Sequence, residues 1–126
     1  KVTTAESQGA LIIVELVHHR AGGPPRHVHP NQDEWFSVVE GRYRIAAGEQ
    51  QFDVGPGDSV FGPRGVPHTW AYLGGEPGRL ALVISPAGLM EDFLRALSQV
   101  HALAPQEPMF WERYNLALAG PPLSLT

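Results

Sequence analysis

The chain has 126 residues, 43% of them hydrophobic and 17% charged, enough for one domain with a real core. Its net charge of -4, with nine scattered basic residues, gives no reason to expect nucleic acid or an anionic membrane as partner. The absence of cysteine excludes disulfides, iron–sulfur clusters and thiolate zinc sites.

The first apolar run, "LIIVELVHH", is apolar at four consecutive positions, 11–14, so both faces of that strand are expected to be covered, by a partner subunit or by the end of the chain. Glu15 stops the run far short of a membrane span, and no signal peptide shows, so a cytoplasmic protein is expected. Further short runs follow, rich in β-branched and aromatic residues: "EWFSVVE", "RYRIA", "QFDV", "DSVFG", "HTWAYL" and "RLALVIS". Gly/Pro clusters such as "AGGPP", "VGPGD", "GPRGVP" and "LGGEPG" lie between them. Short strands at regular spacing with turn signals between them predict an antiparallel all-β sandwich or barrel.

The pattern changes at Ser85-Pro86, which suits an N-cap followed by Pro at the first helical position. Leu89, Phe93, Leu97 and Val100 recur at about one helical turn, widened by Met90 and Leu94. A break at Ala104-Pro105 precedes a second, shorter helix expected from 108 to about 117. The expectation is a single domain over 1–126, with a β body at about 8–85 and a helical tail at about 86–118.

The chemistry gathers in "HVHPNQDEWF". Residues two apart on a strand share a face, so His27 and His29 project together. Glu34, Phe36 and Val38 share one face of the next run, and a hairpin bend through Pro30-Asn31-Gln32 would turn that face toward the two histidines. Two imidazoles and a carboxylate suit a first-row divalent metal and suit Mg or Ca poorly. A solvated turn that happens to carry histidines is the competing reading. Further on, Gly57, Gly62, Pro63, Gly65 and Pro67 form a turn system that delivers His68 onto a strand, where His68, Trp70 and Tyr72 alternate onto one face.

Together the two stretches resemble the two motifs of the cupin superfamily. The first is His-X-His, three or four residues, Glu, six residues and Gly, matched by His27-Val28-His29, Glu34 and Gly41. The second begins with Gly, five residues, Pro-X-Gly, two residues and His, matched by Gly57, Pro63-Arg64-Gly65 and His68. The fifteen residues between Gly41 and Gly57 have the short inter-motif length of single-domain cupins. Gly22 precedes His27 by four residues where the family has five, and Tyr72 stands where it has Asn. Neither departure removes a ligand. "GGPPRHVHPNQDEWFSVVEG", with a tail closing in "GPPL", is similar to the quercetinase-like single-domain cupins.

The resemblance implies a double-stranded β-helix (jelly-roll) barrel holding one divalent transition metal (Fe, Mn, Ni, Cu or Zn). The ligands it implies are His27, His29, His68 and Glu34, and it implies a homodimer paired through the N-terminal strands. Open metal positions would accept an oxygen ligand or dioxygen, with Glu34 as fourth ligand or as catalytic base. Phe36, Val38, Phe61, Trp70 and Tyr72 are the candidates for a substrate wall. A metal-dependent dioxygenase acting on a small enolic or aromatic compound is the function implied. A metal-dependent isomerase, or a non-catalytic barrel that binds a metal or a small molecule, remains the alternative.

His18 groups by alternation with Ile12, Val14 and Leu16; a partly exposed strand-end residue, like His19, is expected, with a role at the cavity mouth as the alternative. His101 is expected to complement a helix dipole. Arg26 and Arg42 are expected as solvated strand-edge charges.

Overall fold

The structure is a computed structural model that describes residues 1–74, 77–98 and 107–125. The strands are β1 Ile12–His18, β2 Pro25–Val28, β3 Asp33–Glu40, β4 Tyr43–Ala47, β5 Gln50–Val54, β6 Ser59–Gly62, β7 His68–Tyr72 and β8 Gly78–Ser85. Helices α1 Met90–Ser98 and α2 Pro108–Glu112 follow, and then a strand, β9 Ala117–Pro122. Among the described residues the strands make two sheets, ordered β1-β8-β3-β6 and β5-β4-β7-β2-β9. Every pairing within them is antiparallel.

Alternation decides what the sheets enclose. Glu34, Phe36 and Val38 of β3 point inward, while Trp35 and Val39 face out at 39% and 42% exposure. Phe36, Val38, Val60, Leu80 and Leu82 of one sheet meet Tyr43, Ile45, Val54 and Tyr72 of the other in a dry core. A second core closes the end of the barrel, where Ile12 and Ile84 pack against Ala87, Met90, Phe93, Trp111 and Leu116. At about 25 cal/mol per Å² of apolar surface removed from water, these two clusters carry the fold.

The expected bend through Pro30-Asn31-Gln32 is not a hairpin. β2 and β3 belong to different sheets, so the segment carries the chain across the barrel. Alternation assigns faces but says nothing about which strands pair.

The end of the chain also departs from expectation. Ser85 closes β8, its Oγ donating to the Ala10 carbonyl at 2.9 Å, and α1 begins only at Met90. Leu89 therefore precedes the helix and is 41% exposed. Met90, Phe93, Leu94 and Leu97 form the inward stripe, whereas Val100, His101 and the Ala104-Pro105 break lie outside the described residues. The second helix ends at Glu112, and Asn115 turns the chain at a φ of 62°. β9 then pairs with β2 from the edge of the five-stranded sheet. Pro121 and Pro122, which read as turn signals, are compatible with a strand there because an edge strand need not donate on its outer side.

β1 is covered unevenly. Ile12 is buried against the helices, and the outer edge of the strand carries a bridge between Val2 and Ile13, each amide bonding the other's carbonyl at 3.0 Å.

Candidate metal centre

The centre is assembled from opposite walls. β2 and β7 are neighbours and set His27 directly across from His68. His29, just past β2, keeps the same parity and is 1% exposed. Glu34 comes from β3 in the facing sheet, opposite Gly62 of β6. A Cβ at Gly62 would lie 3.2 Å from the Phe36 ring and 3.3 Å from His68 Nδ1, so a residue without a side chain leaves the imidazole its place. A Cβ at Gly23 would come within 1.9 Å of the Trp70 carbonyl, so the chain entering β2 crosses β7 at backbone contact. Thr69 locks that crossing by donating to the Pro24 carbonyl at 2.7 Å.

The ligand nitrogens of His27, His29 and His68 all lie within 4.8 Å of one another. Glu34 Oε1 is 3.2 Å from His29 Nε2 and 3.5 Å from His68 Nε2. The three imidazoles thus converge and Glu34 lies beside two of them, with His27 at 6%, His68 at 1% and Glu34 at 3% exposure.

Two of the imidazoles are held in a defined tautomer. His27 Nδ1 donates to the Pro25 carbonyl at 2.8 Å, which leaves Nε2 bare. Gln32 gives its amide hydrogens to the carbonyls of Pro86 and Ala87, at 3.0 and 2.8 Å, and so turns its Oε1 toward His29 Nδ1, 3.4 Å away. His29 Nε2 and both nitrogens of His68 are buried without a hydrogen-bond partner, and the approach of Glu34 is not aligned as a hydrogen bond. Buried orphaned nitrogens are costly, and a cation at the common point would satisfy them. The residues fit a first-row divalent ion of octahedral or lower coordination.

Burial, reinforced by the neighbouring imidazoles of His68 and His29, pushes the His27 pKa down to about 3. Burial lowers His29 as well. It would raise the Glu34 carboxyl, but the imidazoles of His68, His29 and His27 outweigh it and hold that carboxyl at about 2. At neutral pH His27 and His29 are thus neutral imidazoles and Glu34 an ionised carboxylate, the protonation states a metal requires.

The same shifts set an acid limit. The folded pKa values of His27, His29 and Glu34 lie below their unfolded ones, so the unfolded chain binds more protons and stability falls with pH. The histidine contribution is whole above about pH 6.5 and erodes below it; that of Glu34 erodes below about 4.5. His27 contributes about 2 kcal/mol of loss between pH 7 and 5, and His29 adds to it in the same direction. Melting of the metal-free protein is expected to drop by on the order of 10 °C over that interval. A flat melting curve from pH 7 to 5 at constant ionic strength would contradict neutral burial.

The centre opens on a cavity of about 410 Å³. Its apolar wall comes from Leu16, Leu82, Ile84 and Trp70 of the strands and Met90, Leu94 and Leu97 of α1, with His27, His29 and Glu34 among the polar lining residues. Of the five expected wall residues, Trp70 lines it. Phe36, Val38 and Tyr72 point inward but are consumed by the core. Phe61 points out, 56% exposed, because Gly62 opposite Glu34 takes the inward parity on β6. The helix wall and Gln32 were not anticipated as site residues, and His18, for which a role at the cavity mouth was the lesser alternative, lines the cavity. Gln32 could have been suspected from its place inside the first motif, and shared parity with Leu16 was the signal for His18.

The cupin domain family matches residues 13–85, more than half of the chain. No curated protein is significantly similar. Among solved structures, an RmlC-like cupin from Shewanella frigidimarina is 28% identical, with a TM-score of 0.57 over 68% of this chain and 72% of that one. KdgF from Halomonas sp. is 22% identical, with a TM-score of 0.58 over 62% and 70%. A recombinant oxalate oxidase in complex with glycolate is 18% identical, with a TM-score of 0.58 over 68% and 48%. The barrel, the inward histidine cluster and the extent of the family match lead to one conclusion: this chain is a member of the cupin family.

Proposed function

We propose that the protein is a metal-dependent, dioxygenase-type cupin of the quercetinase-like kind, acting on a small enolic or aromatic compound. The observation that carries this reading is the placement of three buried imidazoles and a carboxylate at the end of an apolar cavity of about 410 Å³. His27, His29 and His68 would hold the ion, and Glu34 Oε1, directed at the same point, would be the fourth ligand. A bound iron, manganese, copper or nickel supplies Lewis acidity and access to one-electron chemistry, whereas zinc supplies Lewis acidity alone. The chain's own contribution is to keep the imidazoles unprotonated, exclude water with Leu82, Ile84 and Met90, and orient a flat substrate against Trp70. Within the same geometry Glu34 could also accept a proton from a substrate hydroxyl.

The test is metal content followed by oxygen uptake. Protein stripped and reloaded with each metal separately is expected to consume oxygen with 3-hydroxyflavone or acetylacetone in at least one redox-active form. Silence from every loaded form would overturn the enzyme reading and favour a binding barrel. Glu34→Gln is expected to weaken metal retention and abolish turnover together. Full metal occupancy with lost turnover would instead assign Glu34 as the base.

A further inference from the structure

Away from the metal centre, one further titratable side chain is built into the cavity wall. His18 closes β1 and lines the cavity. Its Nδ1 lies 2.7 Å from the hydroxyl of Tyr43, a fully buried residue. That hydroxyl reaches it over Gly78, the residue opposite His18 on β8, where a Cβ would come within 2.6 Å of the phenol oxygen. The imidazole stacks on Tyr72 at 6.0 Å and 26°, and tilts over Trp70 at 4.8 Å. Burial, with a smaller contribution from His19, lowers its pKa to about 4, and burial raises that of Tyr43. The Tyr43 hydroxyl has no other hydrogen-bond partner among the described residues, so its proton is best placed on Nδ1, which puts the ring's own proton on Nε2. Among the described residues nothing bonds Nε2, and that atom is not sealed from solvent.

We propose that His18 is a second recognition point of the cavity, an Nε2–H donor fixed in that tautomer by Tyr43. It selects ligands that carry a neutral acceptor oxygen, of the carbonyl type, at the end away from the metal centre. The inference rests on the metal reading for the other end of the ligand. His18 packs on Trp70 and Tyr72, two and four residues along β7 from His68, which is about 7–13 Å at strand rise. A ligand that touches both ends is therefore an extended, flat, mostly apolar molecule with oxygen functions at its two extremities. A single-ring chelator reaches only one end. A fixed donor on the cavity wall favours ligands that pair it over ligands that leave it unpaired.

Two measurements test this. In the metal-free protein, long-range proton–nitrogen NMR at pH 7 is expected to show His18 protonated at Nε2 and bare at Nδ1, with the preference lost in Tyr43→Phe. A ring protonated at Nδ1 overturns the proposal whatever the metal does. The second measurement titrates 3-hydroxyflavone and its 4′-acetyl derivative against zinc-loaded and metal-free protein, zinc being unable to turn them over. Wild type is expected to bind the acetyl compound about tenfold more tightly than its parent. His18→Phe, which keeps the stacking, is expected to erase that ratio and leave the parent's affinity within about twofold, while His18→Gln, which retains an N–H donor, restores part of it. Equal weakening of both compounds in His18→Phe would reduce His18 to packing and sink the proposal. Affinity independent of zinc would sink the metal reading instead, and an acetyl preference surviving without zinc would leave His18 in its role.

Discussion

His68→Ala is expected to give a folded protein that no longer retains a transition metal. Both nitrogens of His68 are buried without a partner, and the residue is 1% exposed. In the metal-free chain the imidazole is therefore an uncompensated polar group, and removing it relieves a cost of about 1–3 kcal/mol while opening a small cavity of opposite effect. The melting temperature without metal is expected to move by only a few degrees. Metal affinity is another matter, because the ring is one of three nitrogen donors that converge among the described residues. Loss of a supporting hydrogen-bond partner at a metal site costs about 10–100-fold in affinity, and loss of a ligand costs more. The check combines metal analysis after dialysis with melting in the presence and absence of chelator. Wild type should melt lower once chelated, since a ligand bound only to the folded state stabilises it by mass action; His68→Ala should melt at one temperature in both. A variant that still held one equivalent would remove His68 from the centre.

Trp111→Ala should cost about 3–5 kcal/mol, the usual range for a large aromatic removed from a core. Trp111 is 1% exposed and packs 5.0 Å from the Phe93 ring and 4.9 Å from the imidazole of His27. It therefore joins three parts of the chain, namely α2, α1 and the strand that carries His27. A domain of this size has about 5–15 kcal/mol in total, so the variant would lie near the edge of folding at 37 °C. Urea titration should show the lower midpoint with an unchanged slope, and metal retention should weaken because the ring beside His27 is gone. Trp111→Phe should recover more than half of the loss. A cost under about 1 kcal/mol for Trp111→Ala would mean that the end of the chain does not seal the barrel in solution.

Both results depend on residues that were unequally visible in the sequence. The all-β character was legible because Gly/Pro clusters bracket β-branched runs at each turn, and a turn is decided by a few neighbouring residues. The inward parity of His27 and His29, and of Glu34 with Phe36 and Val38, was legible because a strand has a period of two. The spacing of His27, His29, Glu34 and His68 within two stereotyped motifs pointed to one centre; the structure clusters the three histidines and sets Glu34 beside His29 and His68.

What stayed hidden was whatever depends on which distant segments meet. The chain from His29 to Glu34 looked like a hairpin because nothing local distinguishes a bend within a sheet from a crossing between sheets. Phe61 was assigned inward since the parity of a four-residue strand is set by its partner, here Glu34 against Gly62. Residues 117–122 looked like a helix end and a turn, and became a strand only because β2 offered a free edge. The cavity wall from Met90, Leu94 and Leu97 is equally a product of docking, since a helical stripe announces that it will be buried but not against what.

By itself, then, the sequence determined the class of fold, the turns, the faces of the strands and the residues able to bind a metal, all matters of local stereochemistry and side-chain identity. Tertiary structure alone decided the order of the strands, the walls of the cavity, the tautomer of His27 and the pairing of His18 with Tyr43. These depend on contacts between residues far apart in the chain, and local periodicity carries no record of them.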